Sequence, residues 1–290
     1  MLRQRVITAI VLLLVLASVL ASPWQQAWPV FLAVVSGLAV WEWLRMTSRP
    51  MPVIGWVGGA AVILGLIWQG MLWQGAVKEP VGLSASQGSQ TLFLLSVALS
   101  SAVWLMLVPM KLKHADVHSA AGLPVWGLFA PVCLYATWGA LVVWMDQGGI
   151  WLVISILALV WIADIFAYFG GKRWGRNKLA PAISPGKTRE GALVGLNGVI
   201  VWMLVTSQIP GSYAEQVLEL YGWFLLILIA ALLGAVSIMG DLFESLLKRQ
   251  VGIKDSSNLL PGHGGVFDRI DAVVAVVPLA YLITSPSLFQ

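Results

Sequence analysis

Apolar runs of about 20 residues recur along this chain almost from end to end. At 1.5 Å per helical residue each can cross about 30 Å of hydrocarbon. Nine such runs are legible: Val6–Ala21, Trp28–Leu44, Val53–Trp73, Thr91–Met110, Leu123–Met145, Ile150–Gly170, Gly191–Ser207, Tyr221–Gly240 and Ile270–Thr284. Gly65 and Gln69 interrupt the third, so its end is the least sharply marked. Hydrophobic residues make up 59% of the 290, and the mean hydropathy is +0.87. Soluble domains hold about 45–50% apolar residues. The expected fold is therefore an all-α polytopic membrane protein of about nine transmembrane helices.

The loops sort by charge. With the N-terminus in the cytoplasm, 16 of the 17 Lys and Arg residues fall in inside segments, and only Lys78 lies outside. A missed or invented span in the middle would scramble this sorting. The positive-inside rule thus supports nine helices with the N-terminus cytoplasmic and the C-terminus outside. The net charge of +4 suits anionic lipid headgroups and needs no nucleic acid to explain it. Residues 1–22 carry the charge and small-residue marks of a signal peptide, but a first helix retained as an anchor is the expectation. Cys133, the single cysteine, lies in an apolar span and reads as a small packing residue.

Residues 1–145 read as a scaffold of about five helices, and residues 146–290 as a catalytic region of about four helices with charged cytoplasmic loops. Trp24, Trp28, Trp73, Trp126 and Trp151 sit near span ends, where indoles anchor at the interface. Gly55-x3-Gly59 and Gly191-x3-Gly195 permit close helix contact, within one chain or in a homodimer. Glu42 is an acid inside a span, and a structural role is expected for it.

Charge is scarce, at 10% of the chain, and concentrates in two stretches, Asp164–Glu190 and Asp241–Asp271. In the first, Asp164 lies about 10 Å inside the end of its helix, with Tyr168 one turn later on the same face. A carboxylate at that depth needs a proton, a partner or a cation. Ser184-Pro185-Gly186-Lys187-Thr188 has the composition of a phosphate-binding loop without being a P-loop. Backbone N–H groups, a Lys point charge and a hydroxyl can all meet phosphate oxygens. An ordinary positive-inside loop touching lipid would look similar.

In the second stretch, Ser237, Asp241, Glu244, Ser245 and Lys248 recur at helical spacing and share a face. A turn rich in glycine comes next, with Pro261, Gly262, His263, Gly264 and Gly265, and then Asp268 and Asp271 at i and i+3. Acids in a helix's first turn complement its dipole, which accounts for one of the two. Carboxylates from neighbouring helix ends suit Mg²⁺, which takes oxygen ligands and shares phosphates with its substrate. No Cys/His cluster suits zinc and no Ser-His-Asp arrangement is visible. His263 could donate a proton, touch phosphate or hold the turn.

The pattern Ser245-x-Leu247-Lys248-Arg249-x4-Lys254-Asp255-x-Ser257-x2-Leu260-Pro261-x-His263-Gly264-Gly265-Val266-x-Asp268-Arg269-Ile270-Asp271 resembles the signature of the phosphatidate cytidylyltransferases, or CDP-diacylglycerol synthases. Leu179-Ala180-Pro181, Ser184-Pro185 and Lys187-Thr188-x-Glu190-Gly191 are similar to that family too. Where the family usually has a small residue and a glycine after the aspartate of the sixth span, this chain has Ile165 and Phe166. The resemblance implies transfer of the cytidylyl group of CTP to phosphatidate, giving CDP-diacylglycerol and pyrophosphate for phospholipid biosynthesis. It implies Mg²⁺, with room for a second mono- or divalent cation. On that basis Asp241 and Asp268 are expected to bind metal, with Asp271 and Asp164 next. Lys248, Arg249 and Lys187 would hold phosphates, and Arg269 would orient Asp268 or touch the lipid phosphate. Ser184, Thr188, Glu190, Ser245, Lys254, Asp255, His263, Gly264 and Gly265 would complete the substrate site. Such an enzyme is expected in a bacterial inner membrane, facing the cytoplasm.

Two other classes fit some of these features. Transporters use intramembrane acids, but favour the bilayer midplane and a repeat interface. Other membrane phosphotransferases and prenyltransferases bind Mg²⁺ through aspartates at different spacings.

Overall fold

Backbone in hydrocarbon must satisfy its own hydrogen bonds, and the apolar stretches do so as helices. A computed structural model of the chain describes residues 2–48, 51–78, 83–119 and 122–285. Its order is α1 (Leu2–Leu20), α2 (Ala27–Thr47), α3 (Pro52–Lys78), α4 (Leu83–Ala102), a π-helical turn (Val103–Leu107), α5 (Val108–Lys113) and α6 (Leu123–Trp174). Then come β1 (Lys178–Ala180), β2 (Ser184–Thr188), α7 (Arg189–Thr206), α8 (Tyr213–Gln250) and α9 (Phe267–Thr284). The nine expected stretches coincide with helical segments, except that Ala21 and Ser207 lie one residue past the ends of α1 and α7. Among the described residues, six helices are long and apolar enough to cross a bilayer. The chain is thus a helical membrane protein. Arg49, one of the cations sorted to the inside, lies outside the described residues.

Residues 123–174 form a hairpin rather than one rod. Gly149 breaks the helix at φ 69°, ψ −168°. On a straight helix residues 133 and 164 would stand about 46 Å apart. Instead, Cys133 Sγ lies 3.2 Å from the carbonyl of Val274, and Asp164 is close enough to Asp271 for their charges to interact. The chain therefore doubles back at Gly149, separating the fifth and sixth expected spans. Gly222 breaks α8 in the same way, at φ 73°, ψ 175°.

One element departs from the all-α expectation. The stretch read as a phosphate-binding loop forms an antiparallel hairpin, with Lys178 opposite Thr188 and Ala180 opposite Ser184. Thr188 then caps α7, its Oγ1 accepting from the Gly191 N–H at 3.1 Å.

Glycines set the helix spacing around the site. A Cβ on Gly191 or Gly195 would press on the carbonyls of Ala167 and Ala163, so α7 lies directly on the second leg of α6, which carries Asp164. Phe166 covers Gly198. Gly55 and Gly59 likewise sit against α2 at Trp41 and Gly37, so both glycine pairs serve contacts within the chain.

Several tryptophans expected at the interface pack inward instead. Trp28 is buried and donates to the Leu141 carbonyl at 3.1 Å, Trp73 packs on Trp138, and Trp126 packs on Phe243. Trp43 stacks on Phe267 at 4.6 Å and meets Phe243 at 5.7 Å, joining α2, α8 and α9. Large rings fill the gaps that small residues leave between helices. Cys133 is buried as expected. Its thiol donates to the Val274 carbonyl, which Pro278, lacking an N–H, leaves without its helical partner.

Candidate active site

Gly240 lets α8 and α9 meet. An ideal Cβ there would lie 2.7 Å from the Asp271 carbonyl and 2.9 Å from Ala272 Cα. This contact brings together side chains 30 positions apart in sequence. Carboxylate oxygens of Asp241, Glu244 and Asp271 all lie within 4.8 Å of one another. Asp164, from the second leg of α6, faces this group and interacts with the charges of Asp241, Lys187 and Arg269.

A cavity of about 470 Å³ opens beside the carboxylates. Asp164, Asp241 and Ile238 form part of its wall, and the hairpin supplies Ser184, Gly186, Lys187 and Thr188. Lys187 forms an ion pair with Asp241 across the cavity. Ser245 Oγ lies 3.4 Å from Asp241 Oδ1. Arg249 Nε donates to the Ile183 carbonyl at 3.2 Å, which ties α8 to the hairpin. Glu190 braces the approach to the hairpin, accepting from the N–H groups of Arg176 and Asn177 and from Asn177 Nδ2.

Asp268 borders the three-carboxylate group, in side-chain contact with Glu244, but is engaged chiefly by the loop and by Lys248. Its Oδ1 accepts from Lys248 Nζ at 2.7 Å. Its Oδ2 accepts from the N–H groups of Ser256 and Gly265 at 2.9 and 2.7 Å. Asp268 therefore closes the loop that succeeds α8. Gly264, at φ 83°, makes the tight turn this requires, because a Cβ there would strike the Asp268 carboxylate. Lys248 is shared between Asp268 and Glu244. Lys254, Asp255 and Arg269 are exposed around this loop. His263 Nδ1 is buried with no hydrogen-bond partner among the described residues.

The donor set fits a hard divalent cation. It is all oxygen, and three carboxylates this close repel one another without a counter-charge. Lys187 and Lys248 neutralise part of the group, but Lys248 is divided with Asp268. Glu244 Oε1 is buried and meets no N–H or O–H donor among the described residues. Its carboxyl group instead contacts the Asp268 carboxyl, so the acids crowd together with few donors, which a cation would relieve. An acid-lined cavity with a lysine and two hydroxyls at its rim can take a cation together with the phosphates it bridges.

The helical spacing in the sequence puts Glu244 on the face of Asp241, and the structure adds Glu244 to the carboxylates that could hold a cation. The signal was its i, i+3 relation to Asp241. Gly240 carries no such signal, since a single small residue in an apolar helix is compatible with many packings.

A family model described as the cytidylyltransferase family matches residues 3–286. The chain is 35% identical over 290 residues to the phosphatidate cytidylyltransferase of Pseudomonas aeruginosa, covering 96% of this chain and 95% of that one. It is 32% identical over 286 residues to the Haemophilus influenzae protein of the same name, covering 96% of each. To that of Brucella abortus it is 43% identical over 173 residues, 57% of each chain.

Proposed function

The chain belongs to the cytidylyltransferase family, and from that premise we propose that it transfers the cytidylyl group of CTP to phosphatidate. A phosphate oxygen of phosphatidate attacks the α-phosphorus of CTP. The new P–O bond forms as the bond to the bridging oxygen breaks, and pyrophosphate leaves with that electron pair. The nucleophile is already anionic at neutral pH, so no strong general base is needed. The enzyme's task is to position two phosphate groups and to offset their charge.

The observation that carries the reading is the cavity where Lys187, Ser184 and Thr188 face Asp164 and Asp241, beside Glu244 and Asp271. Asp241, Glu244 and Asp271 would hold Mg²⁺, which when bound supplies charge neutralisation to the triphosphate. Lys187 would exchange its partner Asp241 for a phosphate oxygen, with the Ser184 and Thr188 hydroxyls donating beside it. Ile165, Phe166, Tyr168 and Phe169 are exposed next to Asp164, a surface on which acyl chains would lie while the headgroup reaches the cavity. Nine crossings, a cytoplasmic N-terminus and a site facing the cytoplasm of a bacterial inner membrane accord with 16 of 17 cations sorting to one side.

The test is pyrophosphate release by purified protein in mixed micelles. Release should require CTP, phosphatidate and Mg²⁺ together. Turnover of a prenyl diphosphate or a CDP-alcohol instead, or labelled-ion transport in sealed vesicles without CTP turnover, would overturn the assignment.

A further inference from the structure

Glu42 lies within α2, fully buried, and has no part in the chemistry just described. An ionised carboxylate in such a place is costly unless its oxygens are well supplied with donors. Oε1 accepts from the Val266 N–H at 3.0 Å and the Ser257 hydroxyl at 2.5 Å. Oε2 accepts from the Phe267 N–H at 2.6 Å and lies 3.0 Å from Ser256 Oγ. Val266 and Phe267 are where α9 begins, and α9 has no side-chain cap of its own. Glu42 is therefore that helix's cap, supplied from another helix more than 220 positions away. It meets two free N–H groups at the positive end of the helix dipole. Arg45, one turn along α2, donates to the Ser256 carbonyl at 2.6 Å. Trp43, between them in sequence, stacks on Phe267. Three polar or aromatic anchors of α2 thus grip the start of α9 and the turn before it.

The first turn of α9 leads straight into the carboxylate site. Asp268 is the next residue after Phe267 and accepts from Lys248, while Asp271 lies one turn on, against Asp241 and Glu244. We propose that Glu42 is a positioning residue for the cation site: by fixing the N-terminus of α9 it sets the Asp271 carboxylate against those of α8. This assignment rests on the function proposed above for that site. It gives the N-terminal half of the chain a part in building the site.

The test compares Glu42→Gln and Glu42→Asp with wild type. Glutamine keeps the size but removes the charge and turns an NH₂ toward two donors. It should lower kcat about 10- to 100-fold and raise the half-saturating Mg²⁺ concentration about tenfold. KM for phosphatidate should stay unchanged, and amide exchange at Val266 and Phe267 should quicken. Aspartate, with the charge restored, should recover part of the loss. Wild-type kcat and Mg²⁺ dependence in Glu42→Gln would overturn the proposal. So would a loss of folded protein with unchanged kcat and Mg²⁺ half-saturation per folded molecule. If Glu42→Gln fails to insert, Ser257→Ala removes one donor and keeps the carboxylate; it should raise the Mg²⁺ requirement about threefold, and an unchanged requirement would again overturn the proposal. If wild type releases no pyrophosphate, the functional reading fails by itself. Mg²⁺ alone then serves as the probe. Raising the unfolding midpoint of wild type but not of Glu42→Gln supports the positioning role, and equal effects on both refute it.

Discussion

Gly240→Ala should separate catalysis from stability. The added Cβ would lie 2.7 Å from the Asp271 carbonyl oxygen and 2.9 Å from Ala275 Cβ, where ordinary contact begins near 3.4 Å. The atoms it meets are backbone or Cβ, so no rotamer change can absorb the clash. Helix α9 must withdraw by about 0.7 Å to restore contact distance. Overpacking of this kind costs about 1–3 kcal/mol, and the better helix propensity of alanine returns about 1 kcal/mol. The net loss of stability is therefore small, roughly 0–2 kcal/mol. Catalysis is less tolerant, because a site must hold its groups within about 0.5 Å, and a misplacement near 1 Å can cost about 100-fold. We expect kcat/KM for CTP to fall about 10- to 100-fold, or about 1.4–2.7 kcal/mol of transition-state stabilisation, with a raised Mg²⁺ requirement. The assay is initial-rate pyrophosphate release across a Mg²⁺ titration, normalised to folded protein. Gly65→Ala is the control, since a Cβ there meets nothing within 4 Å, and its kinetics should match wild type. If Gly240→Ala keeps wild-type kcat/KM and Mg²⁺ half-saturation, the approach of α8 to α9 does not set the carboxylate spacing.

Asp241→Asn and Asp271→Asn should each abolish turnover while the protein stays inserted. Mg²⁺ should also stop raising their unfolding midpoint, an effect worth about 2.7 kcal/mol in wild type at 100 times Kd. Lys187→Ala should raise KM for CTP about tenfold with a smaller change in kcat, measured by initial rates at saturating phosphatidate, because the lysine offers one charge-assisted contact. Lys248→Met leaves Glu244 and Asp268 without their shared cation, and should cost roughly 3 kcal/mol in detergent unfolding; a wild-type midpoint would mean the two ion pairs do not hold the loop.

The helices were readable because length and apolarity decide them, and the break at Gly149 falls in the Asp146-Gln147-Gly148-Gly149 stretch that separates two expected spans. The hairpin at 178–188 was not. Pro181, Pro185 and Gly186 give it turn composition, and three- and five-residue strands carry too little pattern to announce their pairing. Asp268 and Asp271 looked equivalent at i and i+3. What distinguishes them is the loop from 256 to 265, which folds back to donate to Asp268, and the close approach at Gly240, which sets Asp271 beside Asp241 and Glu244. Tryptophan position was also ambiguous, since a bilayer interface and a packed core both accept an indole near a helix end. Glu42 drew notice as an acid in an apolar span, but its partners include backbone N–H groups from the far end of the chain, and no local pattern encodes those.

These differences divide the site into two mechanical parts. The carboxylates stand on α8 and α9, whose spacing is fixed by Gly240 and whose junction is held by Glu42, Trp43 and Arg45. Lys187, Ser184 and Thr188 stand on a two-stranded hairpin, a structure of marginal stability by itself. That hairpin is tethered by the Thr188 cap, the Glu190 brace and the Arg249 bond to Ile183. Cation ligands need a spacing held to fractions of an ångström, whereas a lysine reaching for phosphate acts as a flexible point charge. The rigid element therefore carries the groups that cannot tolerate displacement, and the adjustable one carries those that can. Changes under the helices should then appear first in the Mg²⁺ requirement and changes in the hairpin first in KM for CTP, whatever their separate costs in stability.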